Sequence, residues 1–495
     1  MLRVGFRQAL ALVAGGLSAL AFAPVGIYPL APIGLAVLFV VLGAAKQSRP
    51  FLTGWLFGLG FFGVGVSWIY VSLHVYGGMA TPLALLATFI FCSILALFPG
   101  CLSSLQARIK VTEATRLLIL IPSIWTVLEW IRSWIFTGFP WLAVGYSQVP
   151  DSPLAGYATV LGVYGVSFFV ALTAGAVAWM WQTRGSFAKA SGGLALIVLL
   201  FGLGFALKQV DWTHPLGAPL TVALVQGNIP QEMKWDPEVA ATTLQTYREL
   251  ASSTRARLTV LPETALPVFY SELPAGYLDD LRRIGRERRG DVLAGVPSGD
   301  PTAGYLNSVA SLGLSPTQFY SKHHLVPFGE FIPPGFGWVL DVLHIPLSNF
   351  SRGSLSQPPL SVAGQRIAVN ICYEDVFGEE IIRTLPDATL LVNVSNDAWF
   401  GDGFAARQHR QISQMRALET GRMMLRATNT GSTAIIDAKG GVVSELALFQ
   451  RGILQGQAQG YAGETPYVRW GNSPIVFGAG LLVALTLLTG IRRRR

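Results

Sequence analysis

The stretch Arg366-Ile-Ala-Val-Asn-Ile-Cys372-Tyr-Glu-Asp375 decides the fold of the second half of this chain. It combines a run of residues that predicts a strand with a potentially reactive cysteine. Its first six residues are mostly aliphatic and include β-branched side chains, which predicts a buried strand. A cysteine follows at once, with aromatic and acidic neighbours behind it. Rigid sheets hold many catalytic side chains at strand ends. We therefore predict that Cys372 lies at a strand tip as a candidate nucleophile.

Similar strand signals recur on both sides of this stretch, separated by helical ones. The predicted strands are Leu220–Ile229, Leu258–Leu261, Val292–Val296, Ser308–Leu312, Arg366–Ile371, Thr389–Val394 and Ala434–Ile436. The predicted helices, which have charged faces, are Pro237–Ser253, Gly276–Arg289 and Ala405–Leu425. Strands that alternate with helices indicate an α/β domain with buried sheets. This region is long enough to bury one large core.

The rest of the chain is far more apolar. The whole sequence is 51% hydrophobic and 13% charged, with a mean hydropathy of +0.47, whereas about 25% of the residues in a soluble domain are charged. A helix that crosses a bilayer needs about 20 apolar residues. Candidate spans lie near 5–23, 28–45, 52–73, 82–104, 114–131, 157–181, 191–209 and 474–491. The sequence therefore predicts an α-helical membrane bundle of about eight transmembrane helices, joined to the α/β domain.

Basic residues between the candidate spans predict the topology. They precede the first span, recur in alternate connections, and end the chain at 492–495. The positive-inside rule then predicts that both termini lie on the cytoplasmic side of the cell inner membrane. We predict a membrane domain over 1–210, a periplasmic catalytic domain over 211–470, and a last transmembrane helix with a basic tail over 471–495. The net charge of +8 fits this topology rather than nucleic-acid binding, because the basic residues form no stripe with interleaved aromatics.

Two further residues of the α/β region could activate Cys372. Glu263 follows the strand-like run Leu258-Thr-Val-Leu-Pro262, and Lys322 lies in the loop Tyr320–Pro327. A thiol with a pKa of about 8.5 is mostly protonated at neutral pH and needs a base or a cation. A carboxylate can accept the thiol proton, and an ammonium group can stabilise an oxyanion. Taken singly, each residue also fits an ordinary role, as a solvated acid, a surface lysine or a small buried side chain.

Five segments, in order along the chain, resemble the nitrilase superfamily of carbon–nitrogen hydrolases. They are Val-Ala-Leu-Val-Gln-Gly-Asn228, Leu-Pro-Glu263-Thr, Lys322-His-His-Leu-Val-Pro-Phe-Gly-Glu330, Asn-Ile-Cys372-Tyr-Glu374 and Leu-Val-Asn-Val-Ser-Asn396. This resemblance implies an αββα sandwich and a triad of Glu263, Lys322 and Cys372. Together with the predicted spans, the whole chain resembles the apolipoprotein N-acyltransferase branch of that superfamily.

The resemblance to this branch implies an acyltransferase that works in two half-reactions. Cys372, deprotonated by Glu263, would take a fatty acyl chain from a phospholipid as a thioester. The chain would then pass to the α-amino group of the N-terminal S-diacylglyceryl-cysteine of an apolipoprotein. Lys322 would stabilise both tetrahedral intermediates. No metal or cofactor is expected, and we expect a monomer embedded in the membrane.

Four other residues match motif positions of this branch and are candidate substrate-binding or supporting residues: Trp235, Glu330, Tyr373 and Glu374. Glu330 would orient Lys322 or the amine, or would be an ordinary loop acid. Trp235 would cap a lipid-binding cleft or anchor at the membrane interface, where Trp is favoured. The segment 331–347 is apolar for a water-facing loop. It is either a packed insertion or a mobile arm that rests on the bilayer and admits acyl chains.

Two rival functions share parts of this pattern. A membrane-anchored nitrilase-type amidase acting on a small amide would use the same triad, but a small soluble substrate gives no reason for eight spans. A transporter or receptor would carry buried charges along a path through its spans. The main charged candidates there, Glu129 and Arg132, lie near a span end. The acyltransferase is therefore the favoured prediction.

Overall fold

The computed structural model describes residues 4–43, 49–230, 237–300, 304–333, 335, 337 and 349–492. The chain divides into two compact units. A helical unit comprises Met1–Tyr70, Pro82–Asp211 and Arg469–Arg495, and an α/β unit comprises Val71–Thr81 and Trp212–Val468. The domain boundaries at 210 and 470 stay predictions.

Helices account for most of the first 210 residues and for the end of the chain. They are α1 Val4–Ala19, α2 Leu30–Leu42, α3 Pro50–Gly65, α4 Ile69–Val71, α5 Thr81–Arg108, α6 Glu113–Thr115, α7 Ile121–Arg132, α8 Ala158–Gln182, α9 Phe187–Gln209 and, last, α15 Ser473–Arg492. Pro50 begins α3, where its missing N–H costs no hydrogen bond. Helices α1 and α3 approach so closely that a Cβ on Gly15 would lie 2.0 Å from the carbonyl oxygen of Phe57. Small residues permit such close packing between apolar helices.

The prediction of about eight spans is not confirmed. The described residues form helices at all eight positions, but five of these are long and apolar enough to cross a bilayer. The number rises to six if the bent pair Pro50–Gly65 and Ile69–Tyr76 counts as one span. Helices α1 and α2 have 16 and 13 residues, fewer than the roughly 20 that a bilayer core requires. The stretch 24–29 separates α1 from α2. It contains two prolines and a glycine, and proline disrupts the interior of a helix.

Two helices of this unit expose most of their apolar side chains. In the most apolar window of α9, 17% of the residues are buried, and in that of α15 the share is 22%. Phe187, Val198 and Phe205 of α9 and Phe477 and Leu481 of α15 are all exposed. Many large apolar side chains exposed along a helix are unfavourable in water and are suited to contact with lipid. The helical unit therefore has the surface of a membrane protein.

Glu129 and Arg132 hold a loop rather than line a path through the helices. Nη1 of Arg132 donates to the carbonyl oxygens of Phe139 and Trp141 at 2.5 and 2.7 Å. Oε1 of Glu129 accepts from the backbone N–H of Val144 at 2.9 Å. Both side chains are buried. The charged pair that the transporter hypothesis depends on is therefore bonded to the connection that follows α7.

Twelve strands form two six-stranded sheets in the α/β unit. The strands are β1 Thr213–Gln226, β2 Leu258–Val260, β3 Asp291–Asp300, β4 Gly304–Gly313, β5 Phe319–Ser321, β6 Leu360–Val362, β7 Gln365–Ile371, β8 Leu390–Ser395, β9 Met424–Thr428, β10 Ala434–Ile436, β11 Val442–Glu445 and β12 Gly452–Gly463. The first sheet has the order β12-β1-β2-β3-β4-β5, and the second has the order β11-β10-β9-β8-β7-β6.

The central strands of both sheets are parallel and the outer ones are antiparallel. In the first sheet β1, β2 and β3 run parallel, and in the second β7, β8 and β9 do so. Ile371 at the end of β7 pairs with Val394 near the end of β8. Because the carboxyl ends of parallel strands meet at one edge of a sheet, loops that follow β7 and β8 lie side by side. Cys372 and Asn396 follow these two strands.

The two sheets pack face to face and are each covered by helices. One apolar core joins residues of both sheets, including Leu224 and Val260 from the first and Ile371 and Val392 from the second. A second core joins the first sheet to α10 Pro237–Ser253 and α11 Tyr277–Glu287. A third joins the second sheet to α12 Gly378–Ile381 and α13 Ala405–Thr420. A short helix, α14 Pro466–Trp470, follows β12. The predicted αββα sandwich is therefore confirmed.

One predicted helix, Ala405–Leu425, is too long. Helix α13 ends at Thr420, and Gly421 adopts a left-handed conformation with φ of +62° that ends the helix. The residues from Met424 onward form β9 instead. The sequence prediction also missed β5, β6, β11 and β12, which are short, edge-lying or rich in Gly and Gln.

Candidate active site

Cys372 lies where β7 ends, as predicted. It opens a short 3-10 turn over Cys372–Val376, here named the cysteine turn. Its φ of +54° lies in the left-handed region, which non-glycine residues rarely adopt. The side chain is partly exposed and packs against the core between the sheets. A sharp turn at a strand end therefore carries the thiol.

Glu263 lies in the loop that follows β2. The backbone of β3 passes so close to this loop that a Cβ on Gly295 would lie 2.3 Å from the carbonyl oxygen of Pro262. A glycine is required there. Oε1 of Glu263 accepts from Nδ2 of Asn307 at 2.8 Å, and Oε2 accepts from the backbone N–H of Asn396 at 2.9 Å. One donor comes from each sheet, so both sheets fix the position of the carboxylate.

Lys322 follows β5 directly and is 1% exposed. Its Nζ lies 2.8 Å from Oε2 of Glu330 and 3.5 Å from Oε1 of Glu263. Its backbone N–H donates to the carbonyl oxygen of Asn307 at 2.8 Å. Buried ammonium groups persist when they are paired with carboxylates and hydrogen-bonded. The structure therefore brings Lys322 together with Glu263 and Glu330.

The charges of this site act on the thiol. Burial alone would lower the pKa of Lys322, but Glu330 and Glu263 outweigh burial and raise that pKa above its ordinary value. Burial raises the pKa of the Cys372 thiol, Glu263 raises it further, and Lys322 opposes them. The resting site therefore holds an ammonium group and a protonated thiol. Among the carboxylates that act on this thiol, Glu263 raises its pKa the most.

Asn307 also belongs to this site, although its sequence context is only weakly informative. Its Nδ2 donates to Oε1 of Glu263 at 2.8 Å and to Oε1 of Glu330 at 2.9 Å. It thus keeps the two carboxylates together around one ammonium group. Asn307 is a buried polar residue within β4, one position before the predicted strand at Ser308. The signal that could have identified it is a polar amide directly next to a run of residues that predicts a buried strand.

Glu374 ties the cysteine turn to the loop that follows Lys322. It is buried and accepts four hydrogen bonds. The donors are the backbone N–H groups of His323, His324 and Ile371, at 2.7, 3.1 and 2.7 Å, and the hydroxyl of Tyr320, at 2.9 Å. Burial raises the pKa of Glu374 to about 7, while the backbone donors and Lys322 oppose that shift. Glu374 is therefore placed to support the turn.

The remaining predicted residues are less closely tied to the triad. The ring of Tyr373 lies 5.3 Å from that of Phe377 and 6.1 Å from that of His324, measured between centroids. Trp235 lies outside the described residues, as do most residues of the proposed arm over 331–347. The roles of Tyr373, Trp235 and the arm stay predictions.

A second charged cluster contacts the carbonyl group of Cys372. It consists of Asp375, Asp397, His409 and Arg426, all buried, and is here named the carbonyl-side cluster. Nη1 of Arg426 lies 3.3 Å from Oδ2 of Asp375, and its Nη2 lies 2.8 Å from Oδ2 of Asp397. Nε2 of His409 lies 3.1 Å from the carbonyl oxygen of Cys372. The sequence did not indicate this cluster, because its members come from two turns, a strand and a helix that are far apart along the chain, and polar residues of a helix such as α13 predict a solvated face.

The turn over Asp397–Phe400 also contacts residues from far earlier in the chain. The hydroxyl of Ser72 donates to the carbonyl oxygen of Trp399 at 2.8 Å. The rings of Tyr76 and Trp399 lie 6.0 Å apart at an angle of 71°. The turn follows Asn396, whose N–H holds Glu263. The segment Val71–Thr81 therefore packs, within the α/β unit, on a turn next to the site.

Comparison with known proteins covers nearly the whole chain. Residues 14–176 match the family described as the apolipoprotein N-acyltransferase N-terminal domain. Residues 221–467 match the carbon–nitrogen hydrolase family. Among solved structures, the C. elegans NitFhit protein aligns with a TM-score of 0.39 and 17% identity, over 49% of this chain and 61% of that one.

Curated relatives match from end to end. The apolipoprotein N-acyltransferase of Nitrosomonas europaea is 50% identical, over 99% of this chain and 99% of its own length. That of Chromobacterium violaceum is 46% identical over 98% of this chain and 94% of its own. That of Pseudomonas putida is 39% identical over 97% and 96%, respectively. The chain therefore belongs to the apolipoprotein N-acyltransferase family.

Proposed function

We propose that this protein transfers a fatty acyl chain from a phospholipid to an apolipoprotein through a thioester on Cys372. Its family membership makes it an acyltransferase. The observation that supports the assignment of roles is the pairing of the buried Lys322 with Glu263 and Glu330. The charges of Lys322 and Glu263 also act on the Cys372 thiol. A base, a cation and a nucleophile are the groups that acyl transfer through a covalent intermediate needs.

In the first half-reaction, Sγ of Cys372 attacks the ester carbonyl carbon of a phospholipid. Glu263 takes the thiol proton, and the ammonium group of Lys322 stabilises the negative charge that develops on the carbonyl oxygen. When the tetrahedral intermediate collapses, the C–O bond breaks. Glu263 returns the proton to the departing alkoxide, which leaves as a lysophospholipid. Cys372 keeps the acyl chain as a thioester.

In the second half-reaction, the neutral α-amine of the diacylglyceryl-cysteine attacks the thioester carbon. Glu263 accepts a proton from the amine nitrogen, and Lys322 again stabilises the oxyanion. The C–S bond then breaks, and the proton passes to the departing sulfur. The raised pKa of Cys372 favours this return of the proton, which restores the thiol. A thioester acylates amines readily, so one difficult step becomes two easier ones.

We assign supporting roles to the other candidate residues. Glu330 holds Lys322 between two carboxylates, as their 2.8 Å contact suggests. Glu374 fixes the cysteine turn through its four donors. Tyr373 forms part of the wall beside the thiol. Trp235, by analogy of motif position, contacts the lipid.

The location of the reaction is also part of the proposal. We propose that the protein is a monomer in the cell inner membrane, with the α/β unit in the periplasm and both termini in the cytoplasm. Two observations support this arrangement: the exposed apolar faces of α9 and α15, and two basic residues, Arg184 between α8 and α9 and Lys189 in the first turn of α9. A phospholipid donor and a lipid-modified acceptor both require that the site be reached from a bilayer.

The experiment that tests this function follows the acyl chain to its acceptor. The purified full-length protein receives phospholipid labelled in its acyl chain, in mixed micelles, together with a synthetic diacylglyceryl-cysteine lipopeptide. We expect label on the lipopeptide with wild type and none with Cys372→Ser. The matched control is the same lipopeptide with its α-amine acetylated, which cannot accept the chain.

The outcome distinguishes the transferase from an amidase-type hydrolase. Release of labelled free fatty acid at the same rate with and without the free-amine lipopeptide would contradict transfer and favour hydrolysis. Label on the acetylated lipopeptide would contradict the assignment of the α-amine as acceptor.

A further inference from the structure

His409 is a buried histidine whose contacts the acyl-transfer roles do not use. It lies on α13 and is 1% exposed. Its Nε2 lies 2.7 Å from Oδ1 of Asp375 and 3.1 Å from the carbonyl oxygen of Cys372. Its Nδ1 lies 2.9 Å from Oδ1 of Asp397. All three oxygens are acceptors, so each ring nitrogen faces a group to which it can donate.

The charge count of the carbonyl-side cluster favours a doubly protonated ring. The two carboxylates, of Asp375 and Asp397, face one guanidinium group, that of Arg426. Among these three described side chains, the negative charges therefore exceed the positive charge by one. An uncompensated charge in such a buried place is strongly unfavourable. With an imidazolium at His409, the cluster has as many positive as negative charges. One contact disfavours the doubly protonated ring: Nη2 of Arg426 lies 2.7 Å from Nδ1 of His409.

The direction of the pKa shift agrees with the count. Burial and the charge of Arg426 lower the pKa of His409, but Asp375 and Asp397 outweigh them and raise it above its ordinary value. Three described residues bring a charged group into contact with the ring: Asp375 from the cysteine turn, Asp397 from the turn after β8, and Arg426 from β9. Neutral polar groups complete the cluster, since Ser413 and Ser395 donate to the two carboxylates.

The carbonyl-side cluster acts on Cys372 in two ways: it contacts the backbone carbonyl group of Cys372, and its charges change the pKa of the thiol. Nδ2 of Asn393 and Nε2 of His409 both lie 3.1 Å from the carbonyl oxygen of Cys372, the residue with φ of +54°. The Asn393 amide and the His409 N–H, which His409 shares between this carbonyl and Asp375, help to hold a conformation that costs free energy. The negative charge of Asp397 also raises the pKa of the thiol. A cation beside Asp397 reduces that effect.

We propose that His409 is a positioning residue for acyl transfer: a permanent imidazolium that holds the Cys372 carbonyl group and cancels the charge of the two aspartates. The inference rests on the proposed role of Cys372 as the nucleophile. His409 acts through Cys372 and touches no substrate. Its loss should therefore change kcat and the reactivity of the thiol rather than KM.

Two substitutions separate the hydrogen bond from the charge. His409→Gln puts an amide donor near the position of Nε2 and removes the charge, whereas His409→Asn loses both. We expect the pH profile of Cys372 alkylation by iodoacetamide to shift to higher pH in both variants. We expect kcat to fall about tenfold in His409→Gln and further in His409→Asn, with KM changed by less than about twofold.

Thr420→Ala is the matched control on the same helix. The buried hydroxyl of Thr420 bonds to the carbonyl oxygens of Arg416 and Ala417 in its own helix, at 2.8 and 3.4 Å. This variant should lose some stability and keep the alkylation profile of wild type. An alkylation profile in His409→Gln that coincides with that of Thr420→Ala would overturn the proposal.

A direct readout of the proton count comes from NMR of the full-length protein labelled with ¹⁵N-histidine in detergent micelles. The chain has 6 histidines, and the signals missing in His409→Gln identify His409. We expect both of its ring nitrogens to stay protonated from about pH 6 to about pH 9, whereas an ordinary histidine titrates within that range. A neutral ring with one N–H near pH 7.5 would overturn the proposal.

These readouts separate the inference from the proposed function. Alkylation and NMR need no acyl transfer, so they report on His409 even if wild type fails to acylate the lipopeptide. A protein that transfers acyl chains while its His409 titrates normally would overturn the inference and leave the proposed function standing.

Discussion

Two clusters of charged and polar side chains meet at Cys372, and they differ in burial and in how their charges add up. The thiol-side cluster, defined as Glu263, Asn307, Lys322 and Glu330, sets two carboxylates against one ammonium group. The carbonyl-side cluster sets two carboxylates against a guanidinium group and the imidazolium proposed for His409. The first acts on the sulfur atom and the second holds the backbone of the same residue.

The difference separates chemistry from support. An excess carboxylate beside a thiol raises the thiol pKa, but it also supplies the proton acceptor that attack requires. A balanced cluster has no spare proton acceptor and is suited to holding a strained turn. Substitutions in the first cluster should therefore act mainly on rates, whereas removal of a charge from the second should lower stability as well as rate.

The largest expected effect is that of Glu263→Gln. We expect acyl transfer to fall by roughly 10²- to 10⁴-fold, because the base is lost. Since the charge of Glu263 raises the pKa of Cys372, that pKa should fall in the variant. Direct alkylation by iodoacetamide, which needs thiolate and no base, should then become faster near neutral pH while transfer is lost. Parallel loss of transfer and alkylation would contradict the role of Glu263.

Lys322→Met should shift the pKa of the Cys372 thiol in the direction opposite to the shift expected in Glu263→Gln. The ammonium group of Lys322 lowers the pKa of Cys372, so its removal should shift the alkylation profile to higher pH. A shift in the same direction as that of Glu263→Gln would show that the two charges do not act as described.

Arg426→Leu tests the balanced cluster. The change leaves Asp375 and Asp397 without their guanidinium partner in a fully buried place, which should cost about 3–5 kcal/mol of stability. Thermal unfolding of the purified protein should show a clear drop in Tm. The matched control is Arg283→Leu, because Arg283 also pairs with two carboxylates but is exposed. Equal Tm values for the two variants would contradict the distinction between the clusters.

Asn307→Ser tests the bridge between the two carboxylates of the thiol-side cluster. The serine hydroxyl is too short to donate to both Glu263 and Glu330, as Nδ2 of Asn307 does. We expect kcat to fall about tenfold, the effect of one or two hydrogen bonds. Steady-state transfer kinetics measure this, and Tm should change less than in Arg426→Leu. An unchanged kcat would remove Asn307 from the site.

The smallest expected effect is that of Ser72→Ala. This hydroxyl bonds to the carbonyl oxygen of Trp399, in the turn that follows the Asn396 N–H donor to Glu263. We expect kcat to fall by less than about tenfold, since one neutral hydrogen bond contributes about 1 kcal/mol. Ser444→Ala, on β11, is a control with no such contact to the turn among the described residues. If the two variants lose activity equally, the Ser72 contact has no part in positioning.

The sequence predicted the core of the fold because apolar strands have a strong local signal. The strands that end at Ile371 and Val260 lie in the parallel centre of each sheet, where burial on both faces makes the run continuously apolar. The strand β12, Gly452–Gly463, was missed because it is rich in Gly and Gln, which have low β propensity. Its place beside β1 is set by pairing rather than by its own residues.

Part of the group of side chains around Lys322 has a similar local signal in the sequence. Glu263, Lys322 and Glu330 have motif contexts, and the structure brings them together. Asn307 and His409 have none, because their roles arise from the partners that the fold gives them. A charged residue on a helix predicts a solvated face by default, and the burial of Arg426 against two aspartates depends on strands far apart in sequence.

The mass of the peptide that contains Cys372 tests the central claim most directly. Wild-type protein incubated with phospholipid alone, without an amine acceptor, should gain the mass of one acyl chain on that peptide, and hydroxylamine should remove it. Cys372→Ser should gain no hydroxylamine-labile acyl mass. A wild-type peptide that stays unmodified under conditions in which the protein still transfers acyl chains to the lipopeptide would contradict the thioester mechanism.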